Sequence, residues 1–171
     1  DWIRQHLEAR GQDLPIGLGA ELPLGGQMLR VVPGKGRSVQ IGQEEIAVPG
    51  PAERVGPRLG AYLKEVARDR LAGACDDYAA RLGKPYTRIT MRDTRSRWGS
   101  CTSDGALMFS WRLIMTPPEV LDYVAAHEVA HLAEMNHSSA FWSGVERIYG
   151  SYKAPRKWLR QNGNALHRYR F

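Results

Sequence analysis

Three histidines lie within an eleven-residue stretch, His127-Glu128-Val129-Ala130-His131 followed by His137, with Glu128 directly after the first. On a helix, positions i and i+4 lie about 40° apart around the axis and about 6 Å apart along it. His127 and His131 then project from one side and can hold one divalent cation. Glu128, one step round, can take a proton from a water on that cation without ligating it. This division of labour is that of HExxH zinc hydrolases. Five residues, Leu132 to Asn136, separate His131 from His137. The helix must end among them for the third ring to turn back. Three neutral imidazoles leave a fourth position open for water.

Other readings of the motif are weaker. An amphipathic helix with two polar faces carries the pattern by accident, but this helix is mostly apolar. Burying unsatisfied imidazole and carboxylate groups costs about 1–3 kcal/mol each, a cost a metal removes. A closed structural site would recruit cysteine and would not require Glu128. The spacing equals that of HExxHxxGxxH in length, yet Glu134 stands at the glycine position and no Met-turn follows.

The elements that must position these groups are readable from period and punctuation. Residues 1–10 read as the tail of a helix and 11–26 as a loop. Met28–Val32, Ser38–Ile41 and Glu45–Val48 read as a small antiparallel meander. From about Pro57 to Leu82 the apolar period is helical, with Gly73 a possible kink and Gly83 a C-terminal cap. Arg88–Arg92, Arg97–Cys101 and Ala106–Trp111 read as strands, the last two joined by a turn ending in Asp104-Gly105. A helix capped by Thr116 follows and runs to about Ala133. A second starts at Ser138 or Ser139, and a third covers Pro155 to Gly163. The fold class is α+β, a small twisted antiparallel or mixed sheet packed on helices with an N-terminal β-meander. Residues 1–56 form an extension and residues 57–171 a metal-dependent hydrolase domain, together one unit.

The chain has 171 residues, is 43% hydrophobic and 25% charged, and carries a net charge of +6. These values exclude collagen-like, coiled-coil and wholly disordered chains. No apolar run reaches the length of a membrane span, and no signal peptide is evident at the start. Residues 81–112 carry 7 basic and 2 acidic groups, 113–149 carry 1 and 5, and 150–171 carry 6 and none. Two basic blocks thus flank an acidic segment, which favours anionic partners. Cys75 and Cys101 stand in unlike contexts and read as unpaired thiols, pointing to the cytoplasm.

Arg97-Trp98-Gly99-Ser100-Cys101, Phe109-Ser110-Trp111-Arg112-Leu113-Ile114, Asp122-Tyr123-Val124, His127 to Leu132, Asn136-His137-Ser138 and Phe141-Trp142 occur in that order. This series resembles the YgjP-like metallopeptidase family, related to SprT-like and WLM zinc proteases. The resemblance is strong over about residues 85–160 and looser over 27–82. It implies a zincin-type fold, with a twisted sheet over the metal helix and one Zn2+ per chain held by His127, His131 and His137. The family's usual Asn before the strand Trp is Ser110 here.

Zinc would lower the pKa of a bound water toward about 7. Glu128 would accept the proton and hand it to the leaving group. Arg112, Tyr123 and Tyr152 are candidate donors to the developing oxyanion. Arg97, Trp98, Gly99 and Ser100 would border the cleft, with a peptide pairing along that edge. Trp111, Phe141 and Trp142 read as core, and Trp158 among Arg156, Lys157 and Arg160 as a helix anchor. The function expected is a zinc metallopeptidase acting on peptide or protein. The alternatives are a metal-dependent phosphoanhydride hydrolase taking a nucleoside triphosphate, and an SprT-like protease acting on DNA-bound proteins, with weak nucleic-acid contact through residues 153–170.

Overall fold

Short strands with buried apolar residues begin the described chain. The computed structural model describes residues 12–171; the helix tail expected over residues 1–10 lies outside them. Strands β1 (Leu14–Pro15) and β2 (Glu21–Leu24) lie in the stretch expected to be a loop. Leu22 faces the core at 1% exposure, and burial of that side chain gives the short strand its anchor. Gly25 and Gly26, at φ 59° and 80°, turn β2 into β3 (Gln27–Pro33), the left-handed pair a tight hairpin needs.

The expected antiparallel meander is instead a mixed sheet. Strand β5 (Glu45–Val48) pairs parallel with β3, while β4 (Gln40–Ile41) pairs with β5 at the edge. Ile46 and Val48 are fully buried, whereas both residues of β4 are exposed. The more apolar strand takes the inner position.

Helix α1 (Val55–Leu82) runs unbroken through Gly73. A Cβ there would meet nothing within 4 Å, so the glycine weakens the helix by about 1 kcal/mol without breaking it. Gly83 ends it in the left-handed region, its N–H donating to the Ala79 carbonyl. Leu59, Leu63 and Ala67 pack with Leu22, Val31 and Ile46 in one core. Leu71, Ala74, Cys75 and Tyr78 pack with Phe109, Val124 and Val129 in a second. One helix therefore links the two.

The second sheet has the order β6 (Arg88–Arg92), β8 (Ala106–Ser110), β7 (Gly99–Cys101), parallel then antiparallel. Strand β7 is an edge and is shorter than expected. Trp98 stands outside it, though its carbonyl still accepts from the Ser110 N–H at 2.9 Å. Trp111 is not in the strand but opens a 3-10 turn, Trp111–Met115, where the Ser110 hydroxyl accepts from the Arg112 N–H.

Helix α2 (Pro118–Ala130) begins without a side-chain cap. The Thr116 hydroxyl, expected to cap it, donates to the Leu113 carbonyl at 2.6 Å. The helix ends at Ala130, three residues earlier than expected, with His131 as its C-cap. Ser138 caps α3 (Ser139–Ile148), accepting from the Phe141 N–H. Helix α4 (Lys153–Asn162) leads to a 3-10 turn and β9 (Tyr169–Arg170). Strand β9 pairs with β1, and Arg168 and Arg170 bind Gln12 and Asp13. The fold is α+β. Both cysteines are free. Among the described residues no helix is long and apolar enough to cross a membrane.

Candidate metal centre and active site

Helix α2 presents His127 and carries His131 at its C-cap, and the turn before α3 brings back His137. The His137 Nε2 lies 3.3 Å from His127 Nε2 and 3.2 Å from His131 Nε2. Four tetrahedral ligands at a Zn–N length of about 2.0–2.1 Å stand about 3.3–3.4 Å apart. The two distances to His137 match that spacing, and all three ligand nitrogens lie within 4.8 Å of one another, the one such cluster among the described residues.

The outer nitrogens fix the tautomers. His131 Nδ1–H donates to the Glu134 carbonyl at 3.0 Å. His127 Nδ1 lies 3.2 Å from the Tyr123 hydroxyl, to which its proton donates when Nε2 keeps a lone pair for a metal. Outer-shell partners of this kind aim ligand rings and raise their basicity. Three lone pairs facing one another at these distances cannot all be satisfied by hydrogen bonds, but a cation satisfies them together.

Burial, helped by the neighbouring His131 and His137, pushes His127 down to about 3. Burial lowers His131 too. Both are neutral at pH 7, the form that could ligate a metal. Phe141 stacks on His131 at 4.4 Å and meets His127 edge-on at 4.9 Å. Trp142 stacks on His137 at 6.0 Å. The aromatic residues expected as core thus also hold the imidazoles.

Glu128 leaves the same helix toward the edge strand. Burial raises its carboxyl to about 8, with the Arg97 charge opposing. A Cβ on Gly99 would lie 2.9 Å from Glu128 Cγ and 3.1 Å from its Oε2. Only glycine allows β7 to come this close.

A cavity of about 390 Å³ opens over His127 and Glu128. Arg97, Trp98 and Gly99 line it together with Arg156, Leu159 and Arg160 of α4. Trp98 stacks on His167 at 5.2 Å, which ties this lining to the C-terminal turn.

Three residues expected at the substrate do not line this cavity. Arg112 is 3% exposed. Its Nε donates to Asp93 Oδ1 at 2.7 Å, and its Nη1 donates to the carbonyls of Leu166 and Tyr169. A buried guanidinium needs such partners, so Arg112 locks the C-terminal turn. Ser100 lines a polar groove of about 340 Å³ with Arg88 and Arg92, since neighbouring strand residues face opposite ways. Tyr152 packs between Trp142 at 4.8 Å and Tyr123 at 6.4 Å, supporting the site from behind. The Tyr123 hydroxyl is engaged by His127.

Arg156, Leu159 and Arg160 were not assigned to the site from sequence. Their i, i+3, i+4 spacing within a basic block is the signal they carry. Trp158 turns away and packs on the N-terminal core.

The family model described as "YgjP-like, metallopeptidase domain" matches residues 1–162. No curated protein matches the chain. A solved structure, the metallopeptidase zymogen of Pyrococcus abyssi abylysin, is similar at 22% identity and a TM-score of 0.46, covering 61% of this chain and 99% of that one.

Proposed function

The chain belongs to the YgjP-like metallopeptidase family, and on that premise we propose that it is a zinc-dependent peptidase whose metal is held by His127, His131 and His137, with Glu128 as general base. The observation that carries this reading is the meeting of three Nε2 atoms beside a buried carboxylate at an edge strand. A bound zinc would supply Lewis acidity toward a water and a substrate carbonyl.

The chain's own residues do the rest. The carboxylate of Glu128, made basic by burial, accepts a proton from the water that attacks the scissile carbonyl. As the C–N bond breaks, Glu128 returns that proton to the leaving amine. Tyr123 holds His127 through Nδ1. Gly99 lets an extended peptide approach along β7, where main-chain pairing would orient it. Arg97, whose charge acts on Glu128 and which lines the same cavity, would stabilise a developing oxyanion.

A second reading is a metal-dependent phosphoanhydride hydrolase acting on a nucleotide. It is favoured by the three arginines in the cavity walls. Action on DNA-bound proteins has less support, because Arg168 and Arg170 of the basic C-terminal segment are engaged with Gln12 and Asp13.

Assaying unfolded proteins and nucleoside triphosphates in parallel, on the zinc-reconstituted wild type and Glu128→Gln, tests the reading. Glu128-dependent peptide cleavage is the expected result. Glu128-dependent nucleotide turnover with no peptide cleavage would replace it with the second reading.

A further inference from the structure

The cavity over the metal centre has an uneven charge. Arg97, Arg156 and Arg160 line it, and Glu128 is the one carboxylate among its lining residues. None of the three arginines has a carboxylate partner in the ion pairs of the described residues. With Glu128 ionised the lining still carries a surplus of positive charge. A partly enclosed surplus attracts an anion far more strongly than an exposed one.

Arg156 and Arg160 are one helical turn apart on α4, so both guanidinium groups reach the same wall. Arg156 is also pre-set. Its Cζ lies 4.5 Å from the centre of the Trp142 ring, and Trp142 stacks on the ring of His137. One aromatic ring therefore fixes the distance between a metal ligand and a cation. A guanidinium held flat against such a ring keeps its in-plane N–H groups available to grip a carboxylate with two hydrogen bonds. Leu159 lies between the two arginines in sequence and gives the wall an apolar strip for the stem of a side chain.

We propose that Arg156 and Arg160 form a subsite that selects peptides presenting a carboxylate beside the scissile bond, either an acidic side chain or the substrate's own C-terminus. The inference rests on the peptidase reading and gives it a substrate class. Arg97, which lines the same cavity, adds to the field, but its influence on Glu128 makes it a poor test of selectivity.

The test is a binding measurement on zinc-loaded Glu128→Gln, in which turnover is slowed about 100-fold or more. Dye-labelled alanine octapeptides are titrated by anisotropy: one blocked with a central glutamate, its glutamine and lysine counterparts, and the glutamine peptide with a free C-terminal carboxylate. At least one carboxylate peptide is expected to bind tenfold or more tighter than blocked glutamine, and whichever binds tighter identifies the source of the group. In the Arg156→Ala/Arg160→Ala background this preference is expected to vanish with zinc content and melting temperature unchanged. In Arg156→Glu/Arg160→Glu it is expected to move to the lysine peptide. Equal affinity for the glutamate, glutamine and free-carboxylate peptides would overturn the proposal, as would a preference that survives the double alanine change. So would a site that takes a nucleoside triphosphate and no peptide. Wild-type protein that shows the preference but cleaves nothing would sink the proposed reaction and leave the subsite standing. Cleavage without the preference would do the reverse.

Discussion

The backbone of Gly99 lies against the side chain of Glu128, so closely that an added Cβ would stand 2.9 Å from Glu128 Cγ and 3.1 Å from the Met108 carbonyl oxygen. The carbonyl cannot yield, so the carboxylate must. Gly99→Ala is expected to lower the turnover number at least tenfold and to cost about 1–3 kcal/mol by overpacking. Because the histidines are untouched, zinc content should stay at the wild-type level. Steady-state kinetics with metal analysis reads both; full activity would show that Glu128 need not occupy this position.

Removing the charge of Glu128 while keeping its shape separates chemistry from metal binding. Glu128→Gln is expected to bind zinc as the wild type does and to lose about 10²–10⁴-fold in turnover. Without metal it should melt no lower than the wild type, because burying a carboxylate is unfavourable. A variant that loses its zinc would mean that Glu128 is a ligand.

Tyr123→Phe deletes the oxygen that faces His127 Nδ1 and leaves the ring packed on Tyr149 and Tyr152. Zinc affinity is expected to fall about 10–100-fold. A competitive chelator titration measures this, and an unchanged affinity would mean that the hydroxyl does not hold the ring.

The spacing of the three histidines was readable because it is local. His127 and His131 are separated by a turn of helix, and Ser138 marks where the chain restarts after His137. The two arginines of α4 were not readable as site residues because tertiary packing brings them to the cavity from a helix that follows three others. Arg112 misled for a related reason. In a polar–apolar stretch an arginine looks solvated, yet this one is buried because the chain returns to it with Asp93 and two carbonyls. The order of the first sheet was hidden as well. Short strands joined by turns suggest a meander, and only the burial of Ile46 and Val48 shows why β5 displaces β4 from the centre.

The Asp93–Arg112 pair should make stability depend on acid. Burial pushes the Asp93 carboxyl up, but the hydrogen bond and charge of Arg112 outweigh it, and the net shift is downward. A carboxylate with a lowered folded value stabilises the fold above its unfolded pKa of about 3.9, and that contribution is lost as pH falls through the lower folded value. Asp93 is half exposed, which screens the pair, so Asp93→Asn is expected to cost about 1–2 kcal/mol at pH 7. The gap between wild type and variant should close below about pH 4. Denaturant midpoints across pH read it, and a gap that does not narrow in acid would exclude an ionised Asp93 as its source.

X-ray absorption at the zinc edge of the reconstituted protein tests the metal centre most directly. One zinc per chain, with three imidazole nitrogens at about 2.0–2.1 Å and one oxygen ligand, is the expected result. Two imidazoles only, or a protein that holds no stoichiometric zinc after reconstitution, would contradict the convergence of His127, His131 and His137 on a single ion.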